Sequence, residues 1–297
     1  MEKIKNIFLG KKILIYGLGT SGVSAFKFLK KKAKVYLFDD NKKINFKAKH
    51  KIKVNELKKI NFDKIIISPG IDILRCKLSN FLRKNFSKVY TDLDVFYEFF
   101  KNRCITITGT NGKSTTCQLL YEVLRNQNLD VKLAGNIGKP ILLTKNVKKT
   151  TIFVIEASSY QIDYSKNFNS KYAAILNLSP DHIERHKTFK KYIKAKFKLF
   201  KNQKKGSLAF TKKDDVLINK ELSSYKLKSK VIKINISMQD PFFKNIKNDY
   251  LLTEANKENL LFVKEISENL GIKKNTIIKT INNFKGLKYR QQVIYEK

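Results

Sequence analysis

No apolar run in the 297-residue sequence approaches the roughly 20 residues that a helix needs to cross a bilayer, so insertion into a membrane is not expected. Cysteine is scarce. Cys76, Cys104 and Cys117 lack the spacing of a metal site, which argues against a thiolate centre and suits a reducing cytoplasm. The first apolar segment runs straight into a glycine turn, in "KKILIYGLG", which reads as a β-strand rather than a secretory signal. Acidic residues are also few, 25 against 62 basic ones, leaving a formal charge of +37. That surplus is mostly lysine and is spread along the whole chain with Ile, Asn and Phe, residues that share A/T-rich codons. No cluster of arginine and aromatic residues marks a face, so compositional bias accounts for the charge and no specific nucleic-acid partner is expected. Internal repeats and low-complexity linkers are missing as well.

What is present reads as two α/β units, the division expected for this length. In the first, Ile13–Tyr16 form a strand, and Gly17, Gly19 and Gly22 then give G-x-G-x-x-G at the start of a helix. "KVYLFDD" makes a second strand ending at Asp39, and "KIIISPGI" a third. Alone, this glycine pattern with Asp39 suggests a dinucleotide site, a weak signal shared by many folds. The second unit opens near residue 102, where the strand "CITIT" feeds "GTNGKST" and a helix with Leu119, Leu120, Val123 and Leu124 on its apolar side. "TIFVIEASS" and "YAAILNLSPDH" are two more buried-type strands. "LLFVKEISENLG" is a helix stopped by Gly271, and "NTIIKTINNF" a further helix before Gly286. Strands alternating with helices predict parallel sheets.

The phosphate loop is clipped. A Walker-type loop requires G-x-x-x-x-G-K-[ST]; Gly112, Lys113 and Ser114 fit, but position 107 is isoleucine and the first glycine arrives two residues late, at Gly109. Loop amides, a helix N-terminus and Lys113 nonetheless favour a polyphosphate, and Ser114 offers Mg²⁺ a hard oxygen. Glu156 follows four apolar residues, where a carboxylate needs a partner or a metal unless it faces solvent. Asp181 and His182 close another strand. All three clusters fall at strand carboxyl ends, where open α/β sheets bind ligands. Lys196 interrupts an apolar helix stripe made by Phe189, Tyr192, Ile193, Phe197 and Phe200. It either lies buried, with a lowered pKa, or snorkels to the surface along that stripe.

A loop as short as "GTNGKST" is similar to that of the Mur ligase superfamily, and the chain resembles that superfamily nearly throughout, in "GLGTSG", "SPGI", "TDLDVF", "TITGTNGKSTT", "GNIGKP", "EASSYQ", "NLSPDHIERH", "YIKAKFKLF" and "FKGLKYR". "GLGTSG", "GNIG" and "SSYQ" resemble most closely its D-glutamate-adding branch, and "GLGTSG" sets the chain apart from folate-polyglutamate ligases. The resemblance implies an N-terminal Rossmann-like domain (1–100) for the UDP end of the substrate, a central P-loop-type ATPase domain (101–286), and the start of a hinge (287–297). It implies ATP-dependent joining of D-glutamate to UDP-N-acetylmuramoyl-L-alanine through an acyl phosphate, in peptidoglycan synthesis. Gly109, Thr110, Asn111, Gly112, Lys113, Ser114 and Thr115 would hold ATP, with Lys113 on the γ-phosphate, Asn259 at the adenine and Arg290 on the nucleotide. Ser114 and Glu156 would hold one Mg²⁺. Glu156, His182 and a carbamylated Lys196 would hold a second, so that Lys113, His182 and Lys196 carry catalysis. Asn136, Ser158 and His182 would contact the muramyl substrate, Gly19 and Thr20 its diphosphate, and Asp39 or Asp40 its uracil side.

Two details depart from the pattern: Ala255-Asn256-Lys257-Glu258-Asn259 lacks a usual histidine, and Lys288-Tyr289-Arg290 stands for "PHR". The superfamily's third domain, which receives the amino acid, has no counterpart before Lys297. The expectation is therefore an incomplete form that docks precursor and ATP and calls on a separate C-terminal domain for ligation. The alternatives are a non-catalytic binder of both ligands and, from charge alone, a nucleic-acid-dependent ATPase.

Overall fold

Helical crossovers between short apolar strands return the chain to the same end of a sheet and enforce parallel pairing. The computed structural model describes residues 6–41, 46, 51–57 and 59–287. Its strands form two sheets, four- and six-stranded, in which every pairing is parallel. The chain divides into two compact units, one comprising residues 1–101, 139–146 and 160–168, the other 102–138, 147–159 and 169–297.

In the first unit β1 (Lys12–Tyr16), α1 (Thr20–Leu29), β2 (Lys34–Phe38), α2 (Val54–Leu57), β3 (Lys64–Ile67), α3 (Ser79–Lys84), β4 (Val89–Tyr90) and α4 (Asp92–Phe100) follow one another. The sheet order is β2-β1-β3-β4. Leu14, Tyr16, Phe38, Ile65, Ile67 and Val89 pack into one core. The turn after β1 is shaped by close approach: a Cβ on Gly22 would lie 1.7 Å from the Gly17 carbonyl oxygen, whereas one on Gly19 would meet nothing within 4 Å. Helix and strand thus demand the third glycine and leave the second open.

Asp94, fully buried on α4, ties residues 165–168 into this unit. Its Oδ1 accepts from the Ser165 hydroxyl (2.8 Å) and from the backbone N–H of Lys166, Asn167 and Phe168 (2.9, 2.7 and 3.1 Å). Its Oδ2 accepts from Thr91 N–H (2.9 Å) and Oγ1 (3.2 Å). Asp94→Asn turns one acceptor into a donor among donors, and is expected to cost about 2–3 kcal/mol in urea unfolding. An unchanged midpoint would show the carboxylate to be dispensable.

The second unit contains β5 (Cys104–Thr108), α5 (Lys113–Asn126), β6 (Val131–Gly135), β7 (Ile152–Glu156), α6 (Ser159–Tyr164, all but its first residue grouped with the first unit), β8 (Tyr172–Ile175), α7 (Ile183–His186) and α8 (Phe189–Lys201). β9 (Leu208–Lys212), α9 (Val216–Ser223), β10 (Lys230–Ile234), α10 (Glu254–Asn269) and α11 (Lys274–Asn282) complete it. The strand order is β10-β9-β8-β5-β7-β6. Ile105, Ile107, Val154, Leu120, Leu124, Leu261 and Ile277 belong to one core, which spans sheet and helices. Helix α10 ends as Gly271 requires, with Gly271 N–H bonded to Glu268 O (2.9 Å) and Ile272 N–H to Ser267 O (3.0 Å). No helix among the described residues is long and apolar enough to cross a membrane.

Candidate active site

Strand order alone gathers the chemistry. β5 lies between β7 and β8, so the loop after β5, Glu156 at the end of β7 and the 176–182 segment after β8 emerge side by side. Glu156 pairs in register with Ile107 of β5 and with Gly135 of β6.

Glu156 is 1% exposed. Its Oε2 accepts from the Ser114 hydroxyl (2.8 Å) and its Oε1 from the Asn136 amide (2.8 Å). A buried carboxylate is thereby satisfied by two groups that a metal or substrate could displace. Lys113 opens α5 and folds back on its loop, donating to the Gly109 and Thr110 carbonyls (3.0 and 2.6 Å). Gly112 precedes it at φ +79°, and a Cβ there would sit 2.1 Å from Asn259 Oδ1, so glycine alone lets the loop pass the Asn259 amide. Asn259 itself is buried on α10, donating weakly to Asn256 Oδ1 (3.4 Å).

Lys196 does not snorkel; it is 1% exposed. Thr188 caps α8 by accepting from Lys191 N–H, and the helix buries Tyr192, Ile193, Phe197 and Phe200 together with the lysine. Lys196 Nζ donates to Gly109 O (2.7 Å) and Thr108 Oγ1 (3.4 Å), and lies 4.5 Å from the Tyr192 ring centroid. Burial first, and then the charge of Lys113, lower its pKa from 10.5 to about 7; Asp181 and Glu156 pull the other way. Two lysine amines therefore meet at one carbonyl oxygen, under the field of two carboxylates.

His182 stands apart in character. Its backbone is left-handed (φ +53°), its ring is 45% exposed, and Nε2 and Nδ1 lie 3.4 and 3.7 Å from Asp181 Oδ2 and Glu184 Oε1. Thr115 lies in the first turn of α5, while Ser158 is half-buried just past β7. In the first unit, Gly19 and Thr20 are exposed at the start of α1. Asp39 accepts from Leu18 N–H (2.5 Å) and Asn41 N–H (2.8 Å), and Asp40 from the Tyr16 hydroxyl (2.7 Å). Arg290, with Lys288 and Tyr289, lies outside the described residues. Among the described residues no cluster of three His, Cys, Asp or Glu side chains is poised for a metal.

Residues 107–278 match the Mur ligase middle domain. The chain belongs to the Mur ligase family. A UDP-N-acetylmuramoylalanine–D-glutamate ligase of Rickettsia bellii is 32% identical, aligned over 94% of this chain and 68% of that protein. The enzyme of the same name from Rickettsia prowazekii is 33% identical over 97% of this chain and 70% of its own length. Among solved structures, the UDP-N-acetylmuramate:L-alanyl-gamma-D-glutamyl-meso-diaminopimelate ligase of Neisseria meningitides superposes with a TM-score of 0.64 at 16% identity, covering 94% of this chain and 99% of that one.

Two residues of this Mur ligase site escape a reading of the sequence. Tyr192 bonds through its hydroxyl to Thr110 Oγ1 (3.0 Å) and packs edge-on against His186, whose Nε2 meets Ser159 Oγ at 2.9 Å. Its signal was its place one turn before Lys196, since a buried tyrosine hydroxyl needs a partner. Asn177, after β8, accepts through Oδ1 from the Thr110 and Asn111 N–H groups of the loop.

Proposed function

We propose that this Mur ligase chain is an ATP-dependent acid–amino-acid ligase that joins D-glutamate to UDP-N-acetylmuramoyl-L-alanine in the cytoplasm. The observation that carries this reading is the meeting of Ser114, Asn136 and Glu156 with Lys113 and the buried Lys196 at the ends of β5 and β7. The Ser114 hydroxyl and Glu156 carboxylate are hard oxygen donors that fit Mg²⁺, and a carboxylate so deeply buried favours a cation. An amine with a pKa of about 7 is substantially neutral near neutrality. It therefore suits reaction with CO₂, which would turn Lys196 into an anion able to serve a second Mg²⁺ with Glu156 and His182. When bound, magnesium disperses the charge on the transferred phosphoryl group.

The chain's own residues would do the rest. Amides of residues 112–115 and Lys113 orient the triphosphate, while Asn259 serves the adenine and Arg290 the nucleotide. Asn136, Ser158 and His182 align the muramyl carboxylate. Gly19, Thr20 and Asp39 take the UDP portion in the first unit. One carboxylate oxygen attacks the γ-phosphorus as the bond to ADP breaks. The D-glutamate amine then attacks the acyl phosphate carbon, phosphate leaves, and the amine gives up its proton.

A second reading is a binder of precursor and ATP that needs a separate domain for turnover; the alignment takes in 68% of the Rickettsia bellii relative. Both are tested by incubating the chain with Mg·ATP, the UDP precursor and D-glutamate, with and without that relative's remaining third. Phosphate release that requires D-glutamate from the chain alone supports the ligase, and release only with the added third supports the second reading. Precursor binding without release in both arms supports the binder, and neither binding nor release contradicts the site assignment.

A further inference from the structure

The clipped loop raises a physical question: which groups do the work of the residues it lacks? Strand β5 runs on through Ile107 and Thr108, where a longer loop would already have turned. Gly109 then presses against the neighbouring strand's end: a Cβ on it would lie 3.1 Å from Leu176 Cβ and 3.4 Å from Asn177 N. At that point of contact the Asn177 side chain reaches over the loop. Its Oδ1 accepts from the backbone N–H of Thr110 (3.1 Å) and Asn111 (2.8 Å), and its Nδ2 donates to Asn111 O (3.3 Å). The Asn177 carbonyl also accepts from Thr110 N–H (3.1 Å). Next door, Ser179 N–H donates to Thr110 Oγ1 (3.0 Å), which donates to Ser179 O (3.1 Å).

We propose that Asn177 is the positioning residue of the phosphate loop: by occupying the Thr110 and Asn111 amides it fixes the loop and confines anion recognition to the amides of residues 112–115 at the start of α5. The inference rests on the reading of this loop as the nucleotide site. In an ordinary phosphate loop the amides preceding the Gly-Lys pair are free to point at oxygen anions. Here two of them have an acceptor within the protein, and one asparagine supplies the rigidity that extra loop length gives elsewhere. A side-chain amide suits the task because it both accepts from Asn111 N–H and donates to Asn111 O, holding both backbone polar groups of one residue. Asn177 touches backbone and not the reacting groups, so its effect is on how the cradle is presented.

The test compares Asn177→Ala with the unaltered chain for binding of Mg·ADP and of AMP by calorimetry, alongside thermal melting. The expected result is about a tenfold or greater loss for Mg·ADP with AMP affinity and melting midpoint unchanged, because only the phosphate cradle is disturbed. Equal affinity for Mg·ADP in both proteins, or a parallel loss for ADP and AMP, overturns the proposal. Should the variant not fold, amide NMR of the unaltered chain decides. Thr110 and Asn111 amides should stay protected and unmoved on adding Mg·ADP while those of Gly112, Lys113, Ser114 and Thr115 shift; comparable shifts at 110 and 111 overturn the inference. If the unaltered chain binds no Mg·ADP at all, the nucleotide reading itself fails, and the inference falls with it.

Discussion

Lys113→Ala is expected to weaken Mg·ATP binding by about a hundredfold or more while leaving affinity for the UDP precursor within about twofold. A hundredfold corresponds to about 2.7 kcal/mol, within the range of a charge-assisted contact in a partly desolvated site. In the unliganded loop the Lys113 amine is tied to two neutral carbonyls. A triphosphate offers it anionic oxygens at the positive end of α5 instead, and the difference between those two environments drives binding. On the proposed reading the UDP precursor draws on the GLGTSG turn in the other unit, so its affinity should survive. Removing Lys113 also removes a charge that lowers the Lys196 pKa, so the Lys196 amine should hold its proton more tightly in the variant. Calorimetric titrations with both ligands provide the check. A parallel loss for both would mean that the variant is damaged globally.

Lys196→Met is expected to stabilise the fold below neutrality, by an amount that vanishes as pH rises. In the folded chain the Lys196 pKa is lowered to about 7 from 10.5, chiefly by burial. Between those values the unfolded chain binds the additional proton, so the lysine's contribution to stability improves as pH climbs through this window. Below about pH 7 the cost of burying the cation is present in full. A shift from 10.5 to about 7 corresponds to a penalty on the order of 5 kcal/mol. Methionine keeps the apolar stem and discards the charge. Urea unfolding in CO₂-free buffer should therefore show the variant ahead by several kcal/mol at pH 6.5 and level with the parent near pH 10. Parallel curves across the window would mean that the amine is not desolvated in solution.

The parts of the fold legible in the sequence are those where a strand is an unbroken apolar run ending in a recognisable turn. β1, β2, β3, β7 and β8 all have that character, and β5 alternates apolar residues with threonine before its glycine loop. β9 and β10 do not: β10 sits at the sheet edge, and its "KVIKI" is exposed enough to tolerate lysine on both sides. Helix α10 begins at Glu254, well ahead of the apolar repetition that marks its body, because Asn256 and Asn259 are buried by contacts that hydropathy does not register. Within the site, Lys196 was conspicuous as a charge in an apolar stripe. Asn177 and Tyr192 reach the loop across 66 and 82 residues of sequence, respectively, by hydrogen bonds that no local pattern encodes. The left-handed backbone of His182 and the exposure of its ring are equally silent in "SPDH".

A crystal structure of the chain with Mg·ADP tests most directly whether these groups converge on a magnesium nucleotide. The β-phosphate should rest on the amides of residues 112–115, with Lys113 swung away from Gly109 and the metal replacing the 2.8 Å hydrogen bond between Ser114 and Glu156. Nucleotide density elsewhere, with that hydrogen bond intact and Lys113 still on its carbonyls, would contradict the assignment.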